Sequence, residues 1–345
     1  MKNDGLRILA RFTGIFAVIA LAVCLWRSAT KPIAIAVQAQ AKAPETQDEL
    51  SPYEMSTSKA IDFADAAADG EDISIPLPGG VTSDDIQTEN QYLSGQLWIN
   101  IRGNDRRYEE GASGITANRT KVSECVYITS DPSEYSLRFG LTGVYEPQMS
   151  LVDGALHIRL LKPSEVYEHI VLVDPVPASG SLTDLSLKTA EALEILCQDD
   201  TKLRIYLTRM GQEYRQETAL WLLRETDADF LIRLETVSSA GEEAFRMIYN
   251  GDWYLRRYTN AELSRDLASG VAQATGRMFT ELSPDAGDDI LLTNAEIPSA
   301  RIQFAGRMED AASWLNNART PGRIAEGIRS ALQTAADTIE ERTAP

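Results

Sequence analysis

The chain has 345 residues, with 51 acidic against 33 basic side chains, a formal net charge of −18 and two histidines. That length accommodates two domains plus appendages. The charge excludes nucleic acid as a partner, because phosphate binding needs a basic stripe. Cys24 falls in an apolar run, which leaves Cys125 and Cys197 in separate expected domains. Two such cysteines make no disulfide framework, and two buried unpaired thiols are expected.

Residues 1–30 read as a transmembrane or signal-anchor segment. Lys2, Arg7 and Arg11 precede the unbroken apolar run Phe12–Trp26, and Arg27 and Lys31 close it. The run is short for a full span, but Ile8–Ala10 extend it if Arg11 snorkels. Cleavage near Ala36–Ala41 and lipidation at Cys24 are the alternatives, the latter weakened by the valine before the cysteine. In each case the positive flank predicts an exported remainder. The expected location is the cell membrane, single-pass, with the folded part extracytoplasmic. Residues 31–89, rich in Ala, Asp, Glu, Pro and Ser, read as an acidic flexible spacer. A transient helix over Ala60–Ala68 is expected within it.

Residues 90–165 read as a small β-rich domain. Leu97, Ile99 and Ile101 alternate with polar residues, as do Leu137, Phe139 and Leu141, then Leu156, Ile158 and Leu160. This is the period of half-buried strands. Val122–Ile128 is a further strand, and Gly103-Asn104-Asp105, Gly111–Gly114, Asp131-Pro132 and Asp153-Gly154 supply turns. An antiparallel sandwich or curled sheet is expected, with a binding, positioning or spacing role.

Residues 168–339 alternate strand and helix. Ile170–Val173 is a wholly apolar run suited to a buried strand, which Asp174-Pro175 is expected to stop. After a loop over Val176–Ser186, Leu187–Cys197 carries a helical stripe of Leu187, Ala190, Leu193, Leu196 and Cys197. Lys202–Leu207 and Asp229–Glu235 read as strands, with a helix over Gln216–Thr226 between them. Asn260–Thr275 reads as a helix capped by Asn260, and Asp289–Leu292 and Arg301–Phe304 as short strands. Helices over Glu309–Asn316 and Arg323–Ile339 end the domain. The succession predicts an α/β fold, a mixed sheet with helices on both faces and its site at the strands' carboxyl ends.

Several segments of this domain carry a family resemblance: Ile170-Val-Leu-Val-Asp174-Pro175, Leu207-Thr208-Arg209, Ala228-Asp229-Phe230-Leu231-Ile232, Leu292-Thr-Asn294-Ala-Glu-Ile-Pro298, Glu309-Asp310-Ala311 and Ile324-Ala325-Glu326-Gly327-Ile328. In that order they resemble the zinc-dependent N-acetylmuramoyl-L-alanine amidases, which cut the muramoyl–peptide bond of bacterial peptidoglycan. The resemblance implies an amidase-like domain over 168–339. It also implies zinc held by two histidines and a glutamate, with another glutamate as general base. On the family's pattern the first histidine falls on Pro177 and the ligand glutamate near Leu182, with Asp184 the nearest carboxylate. The second histidine falls on Glu235 and the catalytic glutamate on Gln303. Proline offers no ligand atom, and an amide is no base at neutral pH. His157 and His169 both precede the site. The expectation is a degenerate member with no catalytic residue and no metal, zinc being the family's cofactor without its ligands here.

Side chains two apart on a strand share a face, which pairs Arg233 with Glu235 and Arg301 with Gln303. The expected binding residues are Asp174, Arg233, Glu235, Arg301 and Gln303, with Arg233 or Arg301 against Glu235 where zinc stands in the family. Such a cluster either satisfies buried groups as an ion pair or leaves an arginine to hold a peptide-stem carboxylate. The expected function is a membrane-anchored, non-catalytic protein that binds peptidoglycan or an envelope protein. The alternatives are an active amidase with a rearranged metal site built from Asp174, Asp184 and Glu235, and an interaction scaffold. Ser179-Gly180-Ser181 lacks the glycine and lysine pattern of a phosphate cradle. Trp253-Tyr254 with Tyr249 and Tyr258 suits either sugar stacking or packing.

Overall fold

The computed structural model of the chain describes residues 57–65, 70–103, 107–108, 113–131, 133–178, 184–211, 213–238, 244–252, 257–284, 289–306 and 314–343. All of these belong to one compact unit, residues 39–345. The expected anchor over 1–30 lies outside the described residues, as do Ser179-Gly180-Ser181, Leu182, Trp253-Tyr254 and Glu309-Asp310-Ala311. Among the described residues no helix is long and apolar enough to cross a membrane.

Strand alternation builds the first layer pair. The strands are β1 (Thr57–Ala60), β2 (Ala64–Asp65), β3 (Ile73–Pro76), β4 (Ile86–Gln91), β5 (Gln96–Arg102), β6 (Thr116–Ala117), β7 (Val122–Asp131), β8 (Glu134–Leu141), β9 (Glu146–Val152) and β10 (Ala155–Leu161). They form two five-stranded sheets, in the orders β1-β7-β8-β5-β4 and β2-β6-β3-β10-β9. Leu97, Ile99, Leu137 and Phe139 from one sheet share a core with Ile73, Ile75, Leu156 and Ile158 from the other, so the two pack as a sandwich. The expected spacer is corrected here, since residues 57–91 supply β1 to β4. Ile73 and Ile75 are fully buried, but their alternation lasts only four residues. Strands β1 and β2 also stand where a helix over Ala60–Ala68 was expected. At the β9–β10 hairpin Asp153 and Gly154 have φ of 50° and 76°, the left-handed pair that a tight two-residue turn requires.

From His169 the chain alternates β11 (His169–Pro175), α1 (Leu185–Cys197), β12 (Leu203–Leu207), α2 (Gln216–Glu225), β13 (Phe230–Ser238), β14 (Ala244–Ile248), α3 (Asn260–Thr275), β15 (Phe279–Ser283), α4 (Ile290–Asn294), β16 (Ser299–Gly306) and α5 (Thr320–Thr343). The sheet order is β12-β11-β13-β16-β14-β15. Its first four strands are parallel, and β14 runs antiparallel to β16. Val171, Val173, Phe230, Ile232 and Ile302 pack with α1, α3 and α5 on one face. Ile170, Leu172, Tyr206 and Leu231 pack with α2 and α4 on the other.

Three expectations change at this level. Strand β11 runs through Asp174-Pro175, because Pro175 pairs with Leu234 beyond the last β12 pairing, Val173 with Leu207. The cap of α3 is Thr259, whose hydroxyl accepts from the Glu262 amide at 3.2 Å while Glu262 accepts from the Thr259 amide at 2.8 Å. Asn260 is buried instead, donating to Asn250 O and accepting from the Ser299 amide, both at 2.8 Å. Asp289 does not open a strand: it caps the short helix α4, accepting from the Leu292 amide at 3.2 Å.

The sandwich docks on β12, an edge strand. The Tyr92 hydroxyl accepts from the Leu207 amide at 2.9 Å and donates to Leu207 O at 3.3 Å. It thereby serves as the neighbour that an edge peptide lacks. Beside it, Glu146 accepts from Tyr206 OH at 2.5 Å and Arg204 Nε at 3.1 Å.

Candidate functional site

On the face that α2 and α4 cover, the strands are apolar at their amino ends and polar toward their carboxyl ends. Ile170 and Leu172 give way to Asp174 on β11, and Leu231 gives way to Arg233 and Glu235 on β13. Register then sets Asp174 beside Arg233 and Arg233 beside Arg301 in one row. The next row sets Glu235 beside Gln303 and Gln303 beside Arg246 of β14.

Asp289 enters these rows from the start of α4. Its Oδ1 accepts from Arg233 Nη1 at 2.7 Å, and its Oδ2 lies 3.4 Å from Arg301 Nη1. Arg233 Nε is 3.4 Å from Asp174 Oδ2, and Arg301 Nη1 is 3.7 Å from Glu235 Oε2. Gln303 donates to Glu235 Oε2 at 2.9 Å and accepts from Arg246 Nη1 at 3.2 Å. Thr208 Oγ1 and Tyr214 OH donate to Asp174 at 2.5 and 3.3 Å. Burial pushes the Asp174 carboxyl above its ordinary range, against the pull of Arg233 and the Thr208 hydroxyl. Burial also opposes the charge of Arg233, but Asp174 and Asp289 outweigh it and hold the guanidinium above its ordinary range. Arg233 Nε, Arg301 Nε and Asp289 Oδ2 are buried without a hydrogen bond.

The expected neighbours Arg301, Glu235 and Gln303 are thus brought together, while Arg233 turns to Asp174 and Asp289. Asp174, expected among the binding residues, has no exposed surface, which limits it to positioning Arg233. Arg301 and Glu235 keep part of their side chains at the surface, 21% and 23% exposed. Pro177 follows β11, half-buried. Asp184 caps α1 through the Leu187 amide at 3.0 Å and accepts from Arg209 Nη2 at 2.6 Å. Sequence reasoning missed Asp289, Thr208 and Tyr214. An aspartate ahead of Ile-Leu-Leu was the available signal for the first, since that is also a helix start.

The residues present do not fit zinc. Among the described residues the strands' carboxyl ends offer no imidazole or thiolate, and the side chain of Pro177 offers no donor. The carboxylates Asp174, Asp289 and Glu235 are engaged by guanidinium or amide groups, and the guanidiniums of Arg233, Arg301 and Arg246 in the rows repel a dication. The alternative metal site needs Asp174, Asp184 and Glu235 together. Among the described residues these three do not form a converging ligand group, and each is held by a different partner.

No protein-family model matches the sequence, and no curated relative does. Among solved structures, the catalytic domain of CwlV, an N-acetylmuramoyl-L-alanine amidase from Bacillus (Paenibacillus) polymyxa var. colistinus, is similar at 15% identity and TM-score 0.43, over 49% of this chain and 99% of its own. An N-acetylmuramoyl-L-alanine amidase from Clostridium difficile 630 is similar at 16% identity and TM-score 0.42, over 49% of this chain and 97% of its own. The CwlD amidase of Clostridioides difficile, solved in complex with the GerS lipoprotein, gives 16% identity and TM-score 0.41, over 49% and 98%.

Proposed function

We propose that this chain is a membrane-anchored, extracytoplasmic protein whose α/β domain is a non-catalytic form of the amidase fold and binds peptidoglycan. The observation that carries the reading is the Asp174–Arg233–Asp289–Arg301–Glu235 network at the carboxyl ends of the parallel strands. Family hydrolysis needs a metal-bound water and a free carboxylate base there. This network instead presents neutralised charges and a glutamine. The quoted sequence segments support the family, and Arg301 with Glu235 supplies a donor and an acceptor at the surface for a peptide stem.

Sedimentation with insoluble peptidoglycan tests the reading, run beside an assay for release of the stem peptide. Binding without release is expected, with or without added zinc. Arg301→Ala should weaken binding at least about tenfold, the loss of a charge-assisted hydrogen bond worth roughly 1.5–3 kcal/mol. Peptide release would make the chain an enzyme and overturn the reading. Absence of sedimentation would move the partner to another envelope protein.

A further inference from the structure

We propose that Glu168, His169 and Glu340 form a binding site for a divalent transition-metal cation at the amino end of the parallel strands, the end opposite the arginine–carboxylate network. His169 opens β11, Glu168 precedes it, and Glu340 lies in the last turns of α5. The three donor atoms lie within 4.8 Å of one another, and among the described residues this is the group of histidine, cysteine and carboxylate side chains that converges so. His169 Nε2 and Glu340 Oε1 are 3.5 Å apart. That is longer than the usual N–H···O distance of about 2.7–3.2 Å. It matches the separation of about 3.4 Å between two ligands of a tetrahedral ion with bonds of about 2.1 Å.

A second observation is the field at this place. The Lys202 ammonium already sits on Glu168 at 2.6 Å. The carboxyl terminus of α5 adds the negative end of a helix dipole. The carboxylates of this corner already hold one cation, the exposed Lys202 ammonium, which a metal ion on Glu168 has to displace. One imidazole nitrogen with two carboxylates suits zinc or nickel, whereas calcium and magnesium favour oxygen alone. Glu168 and Glu340 are exposed, so they close on an ion without disturbing the core, and the ion ties the end of α5 to the start of β11.

The experiment uses the full chain, purified in detergent, stripped with a chelator and titrated with zinc chloride by calorimetry and by thermal unfolding. One zinc per chain and a raised unfolding midpoint are expected. His169→Gln and Glu340→Gln, the latter at an exposed side chain, should lose both effects, and Lys202→Met, which removes the competing cation, should tighten binding. No binding at submillimolar zinc overturns the proposal, as does undiminished binding in both variants. Zinc binding that disappears instead in Glu235→Gln places the ion at the opposite strand ends and overturns it as well.

Discussion

Asp289 is the side chain on which both site arginines depend. One oxygen takes Arg233 at 2.7 Å and the other faces Arg301 at 3.4 Å, in a residue 4% exposed. Removing it leaves two half-buried guanidiniums facing each other across adjacent strands. Asp289→Ala should therefore destabilise the fold by about 3–5 kcal/mol, the range for breaking one side of a buried pair. Asp289→Asn keeps the cap on α4 and should cost less, and urea denaturation of the two variants checks the order. A second residue carries a pH dependence. The hydrogen bond from Arg342 at 2.9 Å, with those from Thr259, holds the Glu262 carboxyl at about 2. Its folded-state value lies below the ordinary carboxylate value, so its stabilisation is present above about pH 4.5 and is lost as pH falls toward 2. The stability difference between the native chain and Glu262→Gln should be present at pH 6 and shrink by pH 3.

Helices α3 and α5 meet through glycines, and this crossing holds the layer that backs the sheet. A Cβ at Gly327 would lie 2.6 Å from Val271 Cα and 2.7 Å from Gly270 O, both backbone atoms that cannot rotate away. Gly327→Ala should destabilise by roughly 1–3 kcal/mol despite alanine's better helix propensity. Gly322, in the first turn of the same helix, has nothing within 4 Å, so Gly322→Ala should be neutral or stabilising by up to about 1 kcal/mol. Thermal unfolding of the pair tests for opposite signs. Much of this layer was legible, since α5 shows its stripe of Ile324, Ile328, Ala331 and Leu332, all buried. Strand β11 showed itself by an apolar run. The strands β3 and β4 did not, because each offers only two buried inward positions amid acidic and amide residues. In the site, strand period put Arg233 with Glu235 and Arg301 with Gln303 on shared faces, while the contacts of Glu235 with Arg301 and Gln303 run between strands, where register sets them. Asp289 did not, because three apolar residues after an aspartate suit a strand as well as a helix. Thr208 and Tyr214 reach Asp174 from the chain after β12, a placement that only tertiary packing sets.

At the scale of the whole molecule the sandwich is part of the α/β core. Tyr92 and Val144 belong to the same buried cluster as Ile170, Leu172, Tyr206 and Leu231. Without them the edge of β12 would expose unpaired peptide groups and an apolar face. The Glu146–Arg204 pair adds little net stability on general grounds, since burying charges costs nearly what pairing returns, but it admits one docking geometry. The site face of the sheet and the sandwich are therefore held in fixed relation. Tyr92→Phe tests this coupling. The change keeps the ring and leaves the Leu207 peptide without its hydroxyl partner, at a cost of about 1–3 kcal/mol. Hydrogen exchange then separates two outcomes. If the halves unfold as one unit, amides of Leu97–Ile101 in the sandwich and of Val171–Val173 in the sheet lose protection by the same free energy. Loss confined to Val171–Val173 would instead make the sandwich an independently folding module, and the fixed relation between it and the site would fall with it.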